Sequence, residues 1–262
     1  MALTTALWLW VWAFLDDLLI AGANFDELLE HLNFVLYRLR AYGFKLKPSK
    51  AVLAKREVPM LGFFLSGSKI FNDPLKRESM RLWAKPTLKK ECLSFTQYAN
   101  FLRKGIPDFS RVTAPLYAIC NSKGTFEWTE EADGAFQHLK KVIADNTALY
   151  LPDFEFTWYV VADWCSLGGS WSLMQREKDT TGAWRQVLFG SRPNSKSERN
   201  YPSYFGEAFN VINAINSCRM YLEASKETIV MTIIIASRNS SHKSISQHFK
   251  SDWSTALQTY PI

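Results

Sequence analysis

The chain has 262 residues, a length that accommodates two modest domains with a core each. Its 47% hydrophobic and 21% charged residues read as globular and exclude a disordered or low-complexity chain. The net charge of +6 admits an anionic partner without demanding one, and four scattered cysteines (Cys92, Cys120, Cys165, Cys218) with no C-x-x-C pair exclude a zinc ribbon or a disulfide scaffold.

The run Leu7 to Leu15 is apolar, and the small residues Ala21-Gly22-Ala23 follow it as they would in a signal peptide. No basic segment precedes it, however, and Asp16-Asp17 interrupts it before any cleavage site. The expectation is an intracellular, unsecreted chain with reduced thiols, and no run reaches the length of a membrane span.

In Trp12-Ala13-Phe14-Leu15-Asp16-Asp17-Leu18-Leu19-Ile20-Ala21, two carboxylates lie between apolar runs that each suit one buried strand. Burial and mutual repulsion both disfavour a pair of like charges, so the simplest placement is the tip of a tight hairpin. Two readings follow. Asp is common in turns, and paired carboxylates on rigid strands are also what a Mg²⁺ site requires.

Asn24 and Glu27 have capping-box spacing, Leu28, Leu29, Leu32, Val35, Leu36 and Leu39 recur with helical period, and Gly43 closes the helix. Residues 43–50 read as a basic strand and turn, and residues 58–65 as a hairpin in which Gly62 permits close backbone approach. Asp73-Pro74 opens a helix to about Trp83. Thr87 starts another, with Leu88, Cys92, Phe95, Tyr98, Ala99 and Leu102 on its apolar side. From Lys45 to Lys104 basic residues outnumber acidic ones, which fits a solvated charged face or the electrostatic footprint of a phosphate backbone.

Thr113-Ala114-Pro115-Leu116 leads to a linker at Ser122-Lys123-Gly124, and Thr129 caps a helix bearing Ala132, Phe136, Leu139, Val142 and Ile143. After Pro152 the sequence is β-rich, with strands predicted over 156–161, 171–175 and 187–191. A helix over 202–217 and a strand over 229–235 complete a predicted mixed sheet. Asp163 ends an apolar strand. Glu207 leans toward the apolar face of its helix, where an unpaired carboxylate is costly and a metal partner would stabilise it.

In this order the segments resemble the palm and thumb of reverse transcriptases from gypsy-like long-terminal-repeat retrotransposons and their retroviral relatives. Phe14-Leu15-Asp16-Asp17 is similar to the family's aromatic-x-Asp-Asp motif, and 43–50 to the lysine-bearing segment after it. Leu61-Gly62-Phe63 resembles the primer-gripping hairpin, and 93–110 the thumb pattern. Val160-Val161-Ala162-Asp163 to Gln175 resembles the first aspartate motif of the ribonuclease H-like domain. Ser191-Arg192 with Glu198 to Pro202 and Glu207-Ala208 resembles its second. The implied fold is α+β: a partial polymerase palm (1–72), a helical thumb (73–122), then a connection and an incomplete ribonuclease H-like mixed α/β domain (123–262).

The resemblance implies RNA-directed DNA synthesis and cleavage of RNA in an RNA–DNA hybrid, both by two-metal phosphoryl transfer with Mg²⁺. Asp16 and Asp17 would be metal ligands of the first site, and Asp163 and Glu207 of the second. Lys47 and Lys50 would neutralise triphosphate or primer charge, and Gly62 and Phe63 would position the primer end. The implied partners are an RNA template, a DNA primer, an RNA–DNA hybrid and other polyprotein segments, with no membrane. Two departures predict impaired activity. Few residues precede Asp16, so an earlier palm aspartate has no place. The third ribonuclease H aspartate, counted back from Trp253, falls within Thr232-Ile233-Ile234, where Ile233 cannot ligate a metal. A non-catalytic nucleic-acid-binding remnant, or a chain without a stable fold, are the alternative expectations.

Overall fold

The computed structural model describes residues 9–145, 148–176, 183–234 and 243–249, the last seven and 233–234 by backbone alone. They fall into two compact units, Met1–Gly67 and Ser68–Ile262.

In the first unit, β1 (Val11–Phe14) and β2 (Asp17–Ile20) form an antiparallel hairpin in which Phe14 pairs with Asp17. Leu15 and Asp16 make its two-residue turn, Leu15 with φ 53°. Only Asp16 of the carboxylate pair therefore sits at the tip, and Asp17 opens β2. The hairpin is also less buried than its apolar runs predict: Phe14 is 50% and Leu15 91% exposed. A two-stranded ribbon has one face to cover, and here Val11, Leu18 and Ile20 cover it against Val35 and Leu39 of α1 (Phe25–Ala41).

Both ends of α1 follow from local hydrogen bonds. Asn24 Oδ1 accepts from the Glu27 N–H at 2.9 Å, and Glu27 reaches back to the Ala23 N–H at 2.8 Å. At the other end Gly43 has φ 75°. The Phe44 N–H bonds the Leu39 carbonyl and the Gly43 N–H the Arg40 carbonyl, closing a Schellman motif. The strand predicted within 43–50 does not form; the segment is an exposed loop ending in a 3₁₀ turn, Pro48–Lys50. Pro48 has no N–H to give a ladder. The predicted second hairpin does form, from β3 (Glu57–Met60) and β4 (Phe63–Ser66). Leu61 and Gly62 take φ 52° and 81° at its turn, the left-handed pair of a type I′ connection.

The second unit begins with β5 (Lys69–Asn72) and four helices: α2 (Pro74–Arg81), α3 (Lys89–Phe101), α4 (Phe109–Asn121) and α5 (Glu130–Ala144). Asp73 Oδ1 accepts from the Leu75 N–H and Thr129 Oγ1 from the Ala132 N–H, so both predicted caps are made. The helices pack through Cys92, Phe95, Leu116, Phe136 and Leu139, none more than 1% exposed. The Phe95 and Phe136 rings lie 4.5 Å apart. Helix α4 is a finding the sequence obscured, because Pro115 stands in its interior, where proline removes one helical hydrogen bond.

After β6 (Leu149–Tyr150), which pairs with β5, come β7 (Thr157–Cys165), β8 (Gly168–Arg176) and β9 (Arg185–Pro193). Then follow α6 (Ser203–Leu222), β10 (Thr228–Ile234) and β11 (Lys243–Phe249). The sheet order is β11-β10-β7-β8-β9, with β10 parallel to β7 and the other neighbours antiparallel. This is the predicted mixed sheet, with longer strands and a fifth strand, β11, that the sequence did not signal. Trp158, Val160 and Ala162 of β7 join Trp171 and Leu173 of β8 and Ala214, Cys218 and Leu222 of α6 in one core. Asp163 lies inside β7 rather than at its end, because the strand runs on to Cys165 before turning into β8. No helix among the described residues is long and apolar enough to cross a membrane. His242, Asp252 and Trp253 lie outside the described residues.

Candidate functional site

Of the residues singled out in the first unit, Asp16 and Asp17 are both exposed at the hairpin end, and neither makes an ion pair with another described residue. Lys47 and Lys50 are exposed on the loop after α1; the Lys50 N–H bonds the Lys47 carbonyl across the 3₁₀ turn. Gly62 forms the β3–β4 turn and Phe63, half-buried, begins β4 opposite Met60. No hydrogen bond or ion pair between described residues ties the carboxylate pair to either lysine.

The second unit concentrates its polar groups where β7, α6 and β10 meet. Strand alternation sends Trp158, Val160 and Ala162 into the core beneath α6 and leaves Asp163 on the opposite face. Asp163 is exposed there and lines a small cavity with Asp108, Ser110, Arg111, Ser170 and Ser191. Glu207 sits on the core side and is 4% exposed. Its Oε2 accepts a hydrogen bond from the Thr232 hydroxyl at 3.0 Å. Burial pushes the Glu207 carboxyl above its ordinary pKa; the Thr232 hydroxyl opposes that rise and the nearby Asp163 charge adds to it.

Two close approaches build this corner. Gly206 lies against the Trp164 indole, so a Cβ there would stand 2.3 Å from Trp164 Cδ2. Asn210, 1% exposed, donates from Nδ2 to the carbonyls of Asp163 and Ser170 at 2.8 and 2.9 Å and pins α6 to the β7–β8 pair. Sequence reasoning missed Asn210, which follows Glu207 by one helical turn, and named Thr232 only as a neighbour of Ile233. The contact of Thr232 with Glu207 had no signal, because the two lie in different elements.

The Arg192 guanidinium donates to both oxygens of Glu198 at 2.7 Å, and this pairing holds the Glu198 carboxyl below the usual range. On β9, Ser191 accepts from the Ser110 N–H at 2.9 Å, and its carbonyl accepts from Arg103, so the start of α4 is fixed to the sheet.

Asp163 and Glu207 are thus near enough to interact electrostatically, but no group of three His, Cys, Asp or Glu side chains placed to hold a metal occurs among the described residues. At Ile233 the backbone continues β10 opposite Ser244. The parallel pairing of β10 with β7 ends one residue earlier, at Thr232 and Ala162.

Residues 128–230 match the family described as the RNase H-like domain found in reverse transcriptase. The Gag-Pol polyprotein of Gibbon ape leukemia virus is 34% identical over 149 residues, covering 56% of this chain and 9% of that polyprotein. The retrovirus-related Pol polyprotein from transposon 412 of Drosophila melanogaster is 27% identical over 216 residues, covering 82% of this chain and 17% of the relative. The chain therefore spans a small part of the length of these relatives. In fold it is similar to the foamy viral protease-reverse transcriptase dRH in complex with ds DNA, with a TM-score of 0.75 and 18% identity over 96% of this chain and 41% of that one. The foamy viral protease-reverse transcriptase in complex with RNA/DNA hybrid gives a TM-score of 0.74 and 19% identity over 87% and 30%.

Proposed function

We propose that the chain, whose residues 128–230 match the RNase H-like domain found in reverse transcriptase and which is similar to retroviral and transposon Pol polyproteins, grips an RNA–DNA hybrid while cutting it poorly or not at all. In this reading 1–72 is the palm segment, 73–122 the thumb, and 123–262 the connection and ribonuclease H-like segment. Duplex partners are supported by the nucleic acids bound to the foamy viral proteins, and by the basic excess from Lys45 to Lys104.

The observation that carries the reading is the donor set around β7. Asp163 is exposed and open to a ligand, whereas Glu207 is buried and already accepts from Thr232. No third candidate ligand joins them among the described residues, and isoleucine occupies position 233. Mg²⁺ takes six oxygen donors and usually keeps waters and substrate phosphate among them. Asp163 and Glu207 lie on opposite sides of β7, and such a set does not fit the two ions of an in-line hydrolysis. Asp16 and Asp17 supply an equally sparse pair on the first hairpin. What the chain's own residues supply is positioning: Asn210 fixes the end of β7, and Arg103 and Ser110 fix the helices to β9.

The test is incubation of the chain with a labelled RNA–DNA hybrid and Mg²⁺ at two salt concentrations, beside an Asp163→Asn variant. The expected result is binding that weakens steeply with salt, with no cleavage above that of the variant. Cleavage abolished by Asp163→Asn would mean that another group supplies the missing ligand and that the chain is a working nuclease. Absence of binding at low salt would remove the hybrid as partner.

A further inference from the structure

Helices α3 and α4 bring two thiols together that the sequence separates by a whole helix and turn. Cys120 Sγ lies 3.4 Å from Cys92 Sγ, and both cysteines are free. Cys92 is completely buried in the helical core, its Sγ 3.7 Å from the Leu116 carbonyl oxygen, whereas Cys120 is only partly buried. The other two cysteines are engaged elsewhere. Cys165 faces the Gly168 carbonyl, and Cys218 is buried in the core under α6.

We propose that Cys92 and Cys120 form a redox-modification site, in which hydrogen peroxide converts the thiol pair into a reversible disulfide that fastens α3 to α4. A disulfide needs sulfurs about 2.05 Å apart, so the pair must close by about 1.4 Å. Cys120 is the penultimate residue of α4, where a helix end adjusts most readily. The asymmetry of the pair assigns the roles. Cys120 is the sulfur that solvent reaches. Cys92 is fully buried behind it, out of reach of a dissolved oxidant, so Cys92 resolves rather than initiates.

In the first step the Cys120 thiolate attacks a peroxide oxygen. The O–O bond breaks, water leaves after taking a proton, and Cys120 becomes a sulfenic acid. In the second, the Cys92 sulfur attacks that sulfenic sulfur. The S–S bond forms, the S–O bond breaks, and the hydroxide departs as water with the Cys92 proton. Two thiols and one peroxide give one disulfide and two waters, sulfur being oxidised and peroxide reduced. The crosslink ties residue 92 to residue 120 and restricts the unfolded chain between them.

The full chain, reduced and then treated with hydrogen peroxide, is alkylated in denaturant and mapped by mass spectrometry after trypsin digestion without reductant. The expected product joins the peptides 91–103 and 112–123 with the loss of two hydrogens. It returns to two alkylated peptides after dithiothreitol, and the oxidised chain melts higher than the reduced one. Cys120→Ser, at a partly buried site that leaves Cys92 in place, should abolish the product, while Cys165→Ser should keep it. The proposal is overturned if Cys92 is alkylated in full after peroxide treatment, or if the disulfide that forms joins either cysteine to Cys165, Cys218 or a second chain.

Discussion

The Thr232 hydroxyl donates to Glu207 Oε2 at 3.0 Å, tying the last residue of β10 that pairs with β7 to the early part of α6. Only neutral donors, this hydroxyl and the Trp164 backbone N–H, support a carboxyl that is 4% exposed. This contact defines the character of the corner, because the side chain is buried without a cationic partner among the described residues. The folded state favours its protonated form.

A pH dependence follows with a definite sign. The folded pKa of Glu207 lies above its ordinary value of 4.5, so the folded chain holds this proton more tightly than the unfolded one. Between those two values stability falls as pH rises, and above the folded pKa the deficit is constant. Glu207→Gln keeps an acceptor for Thr232 and cannot ionise. Its melting temperature should exceed the wild type's at pH 7.5, and the two should converge as pH falls below 4.5. A wild type more stable than the variant at pH 7.5 would mean that the charge is compensated.

Glu198 should behave in the opposite sense. Arg192 holds its carboxyl below 4.5, so the stabilisation is fully present above that value and is lost as pH falls through the folded pKa. The Arg192 side chain is 33% exposed and that of Glu198 12%, so solvent screens part of the pairing. Glu198→Gln should cost about 1 kcal/mol at pH 7 in a denaturant titration, a difference that disappears in acid.

Gly206→Ala should destabilise the second unit by about 1–3 kcal/mol, because its methyl group would meet the Trp164 ring at 2.3 Å. The Trp164 fluorescence should shift as the indole moves, though nine other tryptophans require a spectrum taken by difference. Stability unchanged within error would mean that the ring relocates without cost.

Lys47→Ala with Lys50→Ala tests the proposed grip on nucleic acid. Both side chains are exposed, so thermal stability should change by less than about 0.5 kcal/mol. If both contact phosphates, the slope of log K against log salt for hybrid binding should become shallower by about 2. An unchanged slope would place both lysines on a face that the duplex does not touch.

Much of this architecture was legible where a residue and its hydrogen-bond partner lie a few positions apart. Asn24, Glu27 and Gly43 marked both ends of α1, Asp73 and Thr129 marked two helix starts, and Leu61-Gly62 marked a hairpin turn. Elements whose stability comes from distant packing were harder to see. Pro115 argued against α4 locally, yet Leu116 and Ile119 bury that helix against its neighbours. Basic residues 43–50 alternated like a strand, but no neighbouring strand receives them.

The sequence by itself determined the capped helix starts, the β3–β4 hairpin and the strands around Asp163, together with the identities of Asp163, Glu207 and Ile233. Those features depend on residue identity and on spacings within one or two turns, which side-chain chemistry fixes without a tertiary context. Only the tertiary structure decided that Asp163 on β7 and Glu207 on α6 lie on opposite sides of that strand, and that Thr232 serves Glu207. It alone brought Cys92 within 3.4 Å of Cys120. Each of these depends on packing between segments remote in the chain, and burial sets both the protonation of the groups and the partners they can reach.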